Sequence, residues 1–167
     1  MARAASVPGL RPFLPADAPR LAQLFRASVE TLAADDYDED QRAAWSAAAD
    51  DETAFEKKLA DALTIVALLD GEIAGFASLS ENRYFDMLYV HPRAARRGVG
   101  SALADAVEKL AAARGTREIS VDASDAARDF FAARGYAAYQ RNMRELRGEW
   151  LGNTTMNKQL DSKAATR

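Results

Sequence analysis

The chain has 167 residues, no cysteine, one histidine and a formal net charge of -3 from 22 basic and 25 acidic side chains. That length suits one domain with a sheet between helices and would cramp two. The composition excludes disulfides, thiolate metal sites, a cysteine nucleophile and a histidine-rich metal site, and the weakly negative balance argues against a nucleic-acid partner held by broad electrostatic attraction.

Residues 1–8 hold one arginine and no apolar run of signal-peptide length, and no stretch approaches a membrane span. The expectation is a disordered start over 1–8, one domain over 9–160, a polar disordered tail over 161–167, and a cytoplasmic location without a membrane partner.

In chain order, Gly9-Leu10-Arg11-Pro12-Phe13 reads as a short strand, at an edge because Pro12 cannot donate to a ladder. Asp17 is expected to cap a helix with Pro19 in its first turn and Leu21, Leu24, Phe25 and Val29 on its buried stripe. Residues 33–51 are acidic and alanine-rich, and read as a loop and a short helix. The charges over 35–40 are read first as solvated surface and second as a pocket wall for a cationic substrate. For Tyr37 and Trp45, packing and the lining of a substrate pocket both stand.

Thr53 and Glu56 fit a capping box ahead of a helix carrying Phe55 and Leu59. Residues 63–69 and 72–79 are two strands around the hairpin signal Asp70-Gly71, with Gly75 marking a bulge or a close backbone contact.

The central stretch is Tyr84-Phe85-Asp86-Met87-Leu88-Tyr89-Val90-His91-Pro92, then Arg93-Ala94-Ala95-Arg96-Arg97-Gly98-Val99-Gly100-Ser101. It reads as a strand stopped by proline, a basic glycine loop and a helix. Strict alternation puts Tyr84, Asp86, Leu88 and Val90 on one face and Phe85, Met87 and Tyr89 on the other. The helix stripe is Val99, Ala102, Leu103, Ala106, Val107, Leu110 and Ala111. Gly98 and Gly100 strip side chains from the helix start, exposing N–H groups and the positive end of the helix dipole, while Arg96 and Arg97 add charge. Together they suit an anion, and a pyrophosphate is the preferred one.

Residues 118–122 form a strand reached through a helical crossover, expected to run parallel to the one ending at Val90. Open sheets bind ligands beside such strand ends. Ser124 caps a short helix with Ala127, Phe130 and Phe131 inward, closed by Gly135. Residues 136–146 and 149–158 make a closing hairpin around Arg147-Gly148, whose outer edge could pair in a homodimer.

The element order, the loop Arg96-Arg97-Gly98-Val99-Gly100-Ser101 and the run Ala126-Ala127-Arg128-Asp129-Phe130-Phe131-Ala132-Ala133-Arg134-Gly135-Tyr136 resemble the GNAT superfamily of acyl-CoA-dependent N-acetyltransferases, over about residues 9 to 158. Asp36-Tyr37 with Gln41 and Trp45, Tyr84-Phe85-Asp86, and Asp122-Ala123-Ser124 are similar to a bacterial branch without an assigned substrate. The resemblance implies a mixed α/β fold (α+β by some schemes), with a twisted central sheet of about six to seven strands and helices on both faces.

It also implies acetyl-CoA as co-substrate, no metal, and an amine acceptor, either a small molecule, a peptide or a protein. Backbone groups of Leu88, Tyr89 and Val90 would pair with the pantetheine arm as an added strand. The amides of Arg96, Arg97, Gly98, Val99, Gly100 and Ser101 would hold the pyrophosphate. The Leu88 N–H would stabilise the oxyanion while a neutral amine attacks directly, and Ser124 and Phe131 would contact the cofactor.

Three positions depart from the superfamily pattern. Ala95 stands where Gln or Arg usually opens the loop. Phe131 stands where many relatives have a proton-donating tyrosine, leaving water, the thiolate's own acidity, Tyr136 or Tyr139. Tyr84 occupies the place of the glutamate of the histone-modifying branch, so Asp86 becomes the leading base, with substrate binding by charge as its other reading and Glu81 a further candidate. His91, Met87, Phe130 and Leu103 are read as structural. The preferred function is an N-acetyltransferase; the alternatives are a non-catalytic acyl-CoA sensor, suggested by Phe131, and a different nucleotide-binding module, disfavoured because no Gly-Lys-Ser/Thr follows the loop.

Overall fold

In the computed structural model, which describes residues 7–160, seven strands form one sheet ordered β1-β2-β3-β4-β5-β7-β6. The expected disorder of the two ends concerns, for residues 1–6 and 161–167, positions outside the described residues. The strands are β1 (Gly9–Pro12), β2 (Leu63–Leu69), β3 (Glu72–Ser80), β4 (Tyr84–Val90), β5 (Glu118–Ser124), β6 (Ala137–Leu146) and β7 (Glu149–Gln159). The helices are α1 (Ala18–Leu32), α2 (Glu39–Ser46), α3 (Glu52–Asp61), α4 (Val99–Ala113) and α5 (Arg128–Ala133). All neighbouring strands are antiparallel except β4 and β5, which the α4 crossover leaves parallel.

One core lies between the sheet and α4, built around Leu103, Val107, Ile119 and Phe131. The other lies beneath α1 and α3, around Leu21, Phe25, Leu59 and Phe76. The helical stripes expected from the sequence are the faces that pack, and Ala104 joins the α4 stripe because the face is broader than a strict three-four pattern.

Two expected caps are corrected. Asp17 does not cap α1 through its side chain; its carboxylate turns back to the Arg11 guanidinium at 2.7 and 2.9 Å and to the Leu14 N–H at 2.8 Å. At α3 the cap is Asp51, accepting from the Ala54 N–H at 3.0 Å, because the helix begins one residue before Thr53.

The alternation along β4 is also corrected. Ser78 pairs with Met87 and Leu79 with Phe85, so Asp86 is an extra residue, a β-bulge. The bulge turns Phe85 onto the α4 core with Leu88 and Val90, while Met87 and Tyr89 pack beneath α1. Asp86 reaches the α3 side, its carboxylate 3.7 Å from the Lys58 ammonium. It therefore does not share the face of Leu88.

At Gly75 the side chains of α4 press directly on the sheet backbone. A Cβ there would lie 2.9 Å from both the Tyr89 carbonyl oxygen and Val99 Cγ1. Gly75→Ala is expected to cost about 1–3 kcal/mol by overpacking, read as a lower urea midpoint at unchanged slope. An unchanged midpoint would mean that α4 moves aside freely.

Candidate active site

The His91 N–H donates to the Ala74 carbonyl at 2.8 Å, which sets the phase of the β3–β4 ladder. Backbone groups alternate sides along a strand, so Tyr89 turns its N–H and C=O toward β3, while Leu88 and Val90 turn theirs away. On that far side β4 and β5 pair only at Tyr84–Ser120 and Phe85–Val121. Beyond Phe85 the strands part, and the free groups of Leu88 and Val90 face the opening. Of the three residues expected to offer backbone there, Tyr89 is already committed to the sheet.

The opening is a cleft of about 270 Å³ that takes its walls from both faces of the sheet: Ser28 and Leu32 of α1, Gly100 of α4, and Phe130 and Phe131 of α5. At its rim α4 begins. Gly98 takes the left-handed conformation (φ 83°) as N-cap, and Arg96 before it is also left-handed (φ 61°). The first helical bond runs from the Ala102 N–H to the Gly98 carbonyl at 3.0 Å, so the N–H groups of Val99, Gly100 and Ser101 precede it and stay open to an anion. The Val99 side chain is buried in the core, so this residue offers backbone alone. Gly100 lines the cleft, whereas Arg96, Arg97 and Ser101 stand outside it, with Arg97 3.5 Å from Asp70.

A second cleft of about 530 Å³ opens between α3, the end of α2 and the β5–β7–β6 part of the sheet. The two clefts share a seam that includes Trp45, Phe85, Asp86, Tyr89, Asp122 and Ser124. The Tyr89 hydroxyl accepts from the Trp45 indole N–H at 3.3 Å, and burial pushes its pKa well up, keeping it protonated. Thr155 Oγ1 lies 2.6 Å from Asp122 Oδ1 and is itself held by Asn142 Nδ2 at 2.8 Å. Among the described residues, the polar partner of Asp86 is Lys58 alone.

The other expected positions divide. Tyr84 lines only the larger cleft. Tyr37 lines it as well, but its hydroxyl is occupied, donating to the Gly152 carbonyl at 2.6 Å and accepting the Asp125 N–H at 2.8 Å. Burial raises its pKa. The acidic side chains over 35–40 line neither cleft, and Asp38 caps α2 in a capping box with Gln41. Ser124 does not cap α5, which begins at Arg128 with Ala127 as N-cap; its Oγ accepts the Ala127 N–H at 3.2 Å and closes the turn before the helix, at the seam. His91 Nδ1 accepts the Arg93 N–H at 3.1 Å, a structural role.

Neither tyrosine considered as a proton donor in place of Phe131 reaches the clefts. Tyr136 is buried against Glu108 at 3.2 Å, and Tyr139 stands exposed on β6, the edge strand. Phe131 is buried among Phe85, Phe130 and Tyr136. The sequence reading did not single out Asp122, Lys58 or Arg144 for chemistry. The visible signal for Asp122 was Ser120-x-Asp122-x-Ser124, polar on one face of an otherwise buried strand.

Comparison with known proteins agrees with this architecture. Residues 33–160 match the Acetyltransferase (GNAT) domain family. The chain is 35% identical over 147 residues to the uncharacterized N-acetyltransferase YafP of Escherichia coli (strain K12), spanning 88% of this chain and 93% of YafP. The crystal structure of the GCN5-related N-acetyltransferase from Rhodopseudomonas palustris matches with a TM-score of 0.92 at 54% identity, over 96% of this chain and 100% of that one. PaiA N-acetyltransferase from Thermoplasma acidophilum, solved in complex with coenzyme A, shares the fold with a TM-score of 0.77 at 18% identity, over 92% of this chain and 99% of that one.

Proposed function

The chain belongs to the GNAT acetyltransferase family, and on that premise we propose that it moves the acetyl group of acetyl-CoA to a primary amine by direct attack in a ternary complex. The observation that carries this reading is the parting of β4 from β5, which leaves Leu88 and Val90 backbone groups unpaired beside the open start of α4. The residues fit the group. A Cβ on Gly100 would already touch Phe130 and Val90 atoms at 3.6–3.8 Å, so the bare glycine keeps the first turn of α4 clear on the cleft wall.

Bound there, acetyl-CoA supplies an acetyl thioester. The amides of Val99, Gly100 and Ser101 hold its pyrophosphate, with Arg96 and Arg97 adding positive charge at the rim. Leu88 and Val90 pair with the pantetheine arm as an added strand. The Leu88 N–H donates to the carbonyl oxygen as negative charge develops. The amine enters through the larger cleft past Trp45 and Tyr84. Asp122, already oriented by Thr155, holds the incoming ammonium, and Asp86, whose carboxylate accepts no hydrogen bond from the described residues, takes its proton directly or through water.

Of the described tyrosines, Tyr89 lines both clefts with a hydroxyl proton not already donated, so it stabilises the departing thiolate by donating a hydrogen bond to it. Tyr89→Phe should then slow turnover without weakening acetyl-CoA binding; unchanged turnover would return that role to water. The sensor alternative rests on Phe131 alone.

Amide exchange with and without acetyl-CoA tests the placement. Leu88, Val90, Gly100 and Ser101 should gain protection, and Tyr89, already bonded to β3, should change little. Protection confined to other strands would remove the basis of the proposal.

A further inference from the structure

We propose that the acceptor carries a carboxylate as well as its amine, and that Arg144 is the residue that holds it; the inference deepens the acetyltransferase reading and rests on it. Four charged side chains line the larger cleft: Lys58, Asp86, Asp122 and Arg144. Lys58 offsets Asp86 at 3.7 Å. Asp122 is bound only to the neutral Thr155 hydroxyl. The Arg144 guanidinium makes no hydrogen bond or ion pair with any other described residue. What remains uncompensated is one carboxylate at the seam and one guanidinium on the outer wall, not paired with each other.

The sheet fixes this placement. Arg144 on β6 pairs in register with Leu151 on β7, and Leu151 is buried against Tyr37 on the cleft side. Directly opposed residues share a face, so Arg144 stands over the cleft with Leu146. Asp122 on β5 pairs with Thr155 on the adjacent β7, which leaves Asp122 two strands from Arg144 on β6. An ammonium at Asp122 and a carboxylate at the Arg144 fork match this pattern, and guanidinium binds carboxylate bidentately. A polycation finds no such match: the cleft charges sum to zero, and the acidic run over 35–40 stands outside. In the same cleft Trp45, Phe55 and Leu151 offer an apolar lining suited to an amino acid body.

The test is calorimetric binding to the protein saturated with coenzyme A, comparing glycine, lysine and phenylalanine with their carboxamides, and with spermidine. Each bound acid is expected to bind at least about tenfold tighter than its amide. Arg144→Gln should erase that difference and Arg144→Lys should keep part of it, with coenzyme A affinity unchanged in both. Arg144 is exposed, so neither variant threatens the fold. Equal binding of acid and amide, no binding by any acid, a preference that survives Arg144→Gln, or tighter binding of spermidine would each overturn the inference. The readout needs no turnover. A carboxylate preference without acetyl transfer would therefore sink the enzyme reading and leave the anchor standing.

Discussion

Gly100→Glu is expected to abolish acetyl-CoA binding while leaving the fold as stable as before or more so. Gly100 is the second residue of α4, and a Cβ there would meet Phe130 and Val90 at 3.6–3.8 Å, an ordinary contact distance that displaces no neighbour. A carboxylate there interacts favourably with the helix dipole, and any residue with a side chain removes the entropic cost of glycine within a helix, about 0.5–1 kcal/mol in all. The same carboxylate occupies the place of the pyrophosphate and repels it. Affinity should fall at least about 100-fold, or about 2.8 kcal/mol, while the thermal midpoint holds or rises. Binding and stability moving in opposite directions cannot be mistaken for misfolding. Retained affinity would mean that the anion is held elsewhere.

Asp86→Asn is expected to lower kcat/KM for the amine by about 10²–10³-fold, the usual worth of a positioned base, with acetyl-CoA affinity unchanged. That loss corresponds to about 3–4 kcal/mol of barrier. Asp122→Asn should act differently, raising KM for the amine more than it lowers kcat, because its charge is spent on holding and its Oδ1 on Thr155. If Asp86→Asn retained full kcat while Asp122→Asn lost it, the two roles would be reversed. Steady-state kinetics on both variants with one acceptor decides.

Much of this arrangement is legible in the sequence because it rests on local signals. The apolar run of β4, the proline that ends it, the glycines at the start of α4 and the apolar stripe after them are each set by neighbours in the chain. The bulge at Asp86 is not legible. An extra residue leaves no mark in composition and exists only against its partner β3, yet it decides which face carries the carboxylate. The insertion of β7 between β5 and β6 is equally hidden, since a hairpin does not say which of its strands will meet the sheet. That order brings Arg144 to the same cleft as Asp122. The parting of β4 from β5 belongs to the whole sheet, and so does the commitment of Tyr89 to β3.

Thiol release from acetyl-CoA across amino acids, polyamines, aminoglycosides and lysine peptides, with the product identified by mass, bears most directly on function. The expected result is turnover of at least one amine with an acetylated product, lost in Gly98→Trp together with acetyl-CoA binding. Tight acetyl-CoA binding without acetylation of any amine would contradict it and make this chain an acyl-CoA sensor.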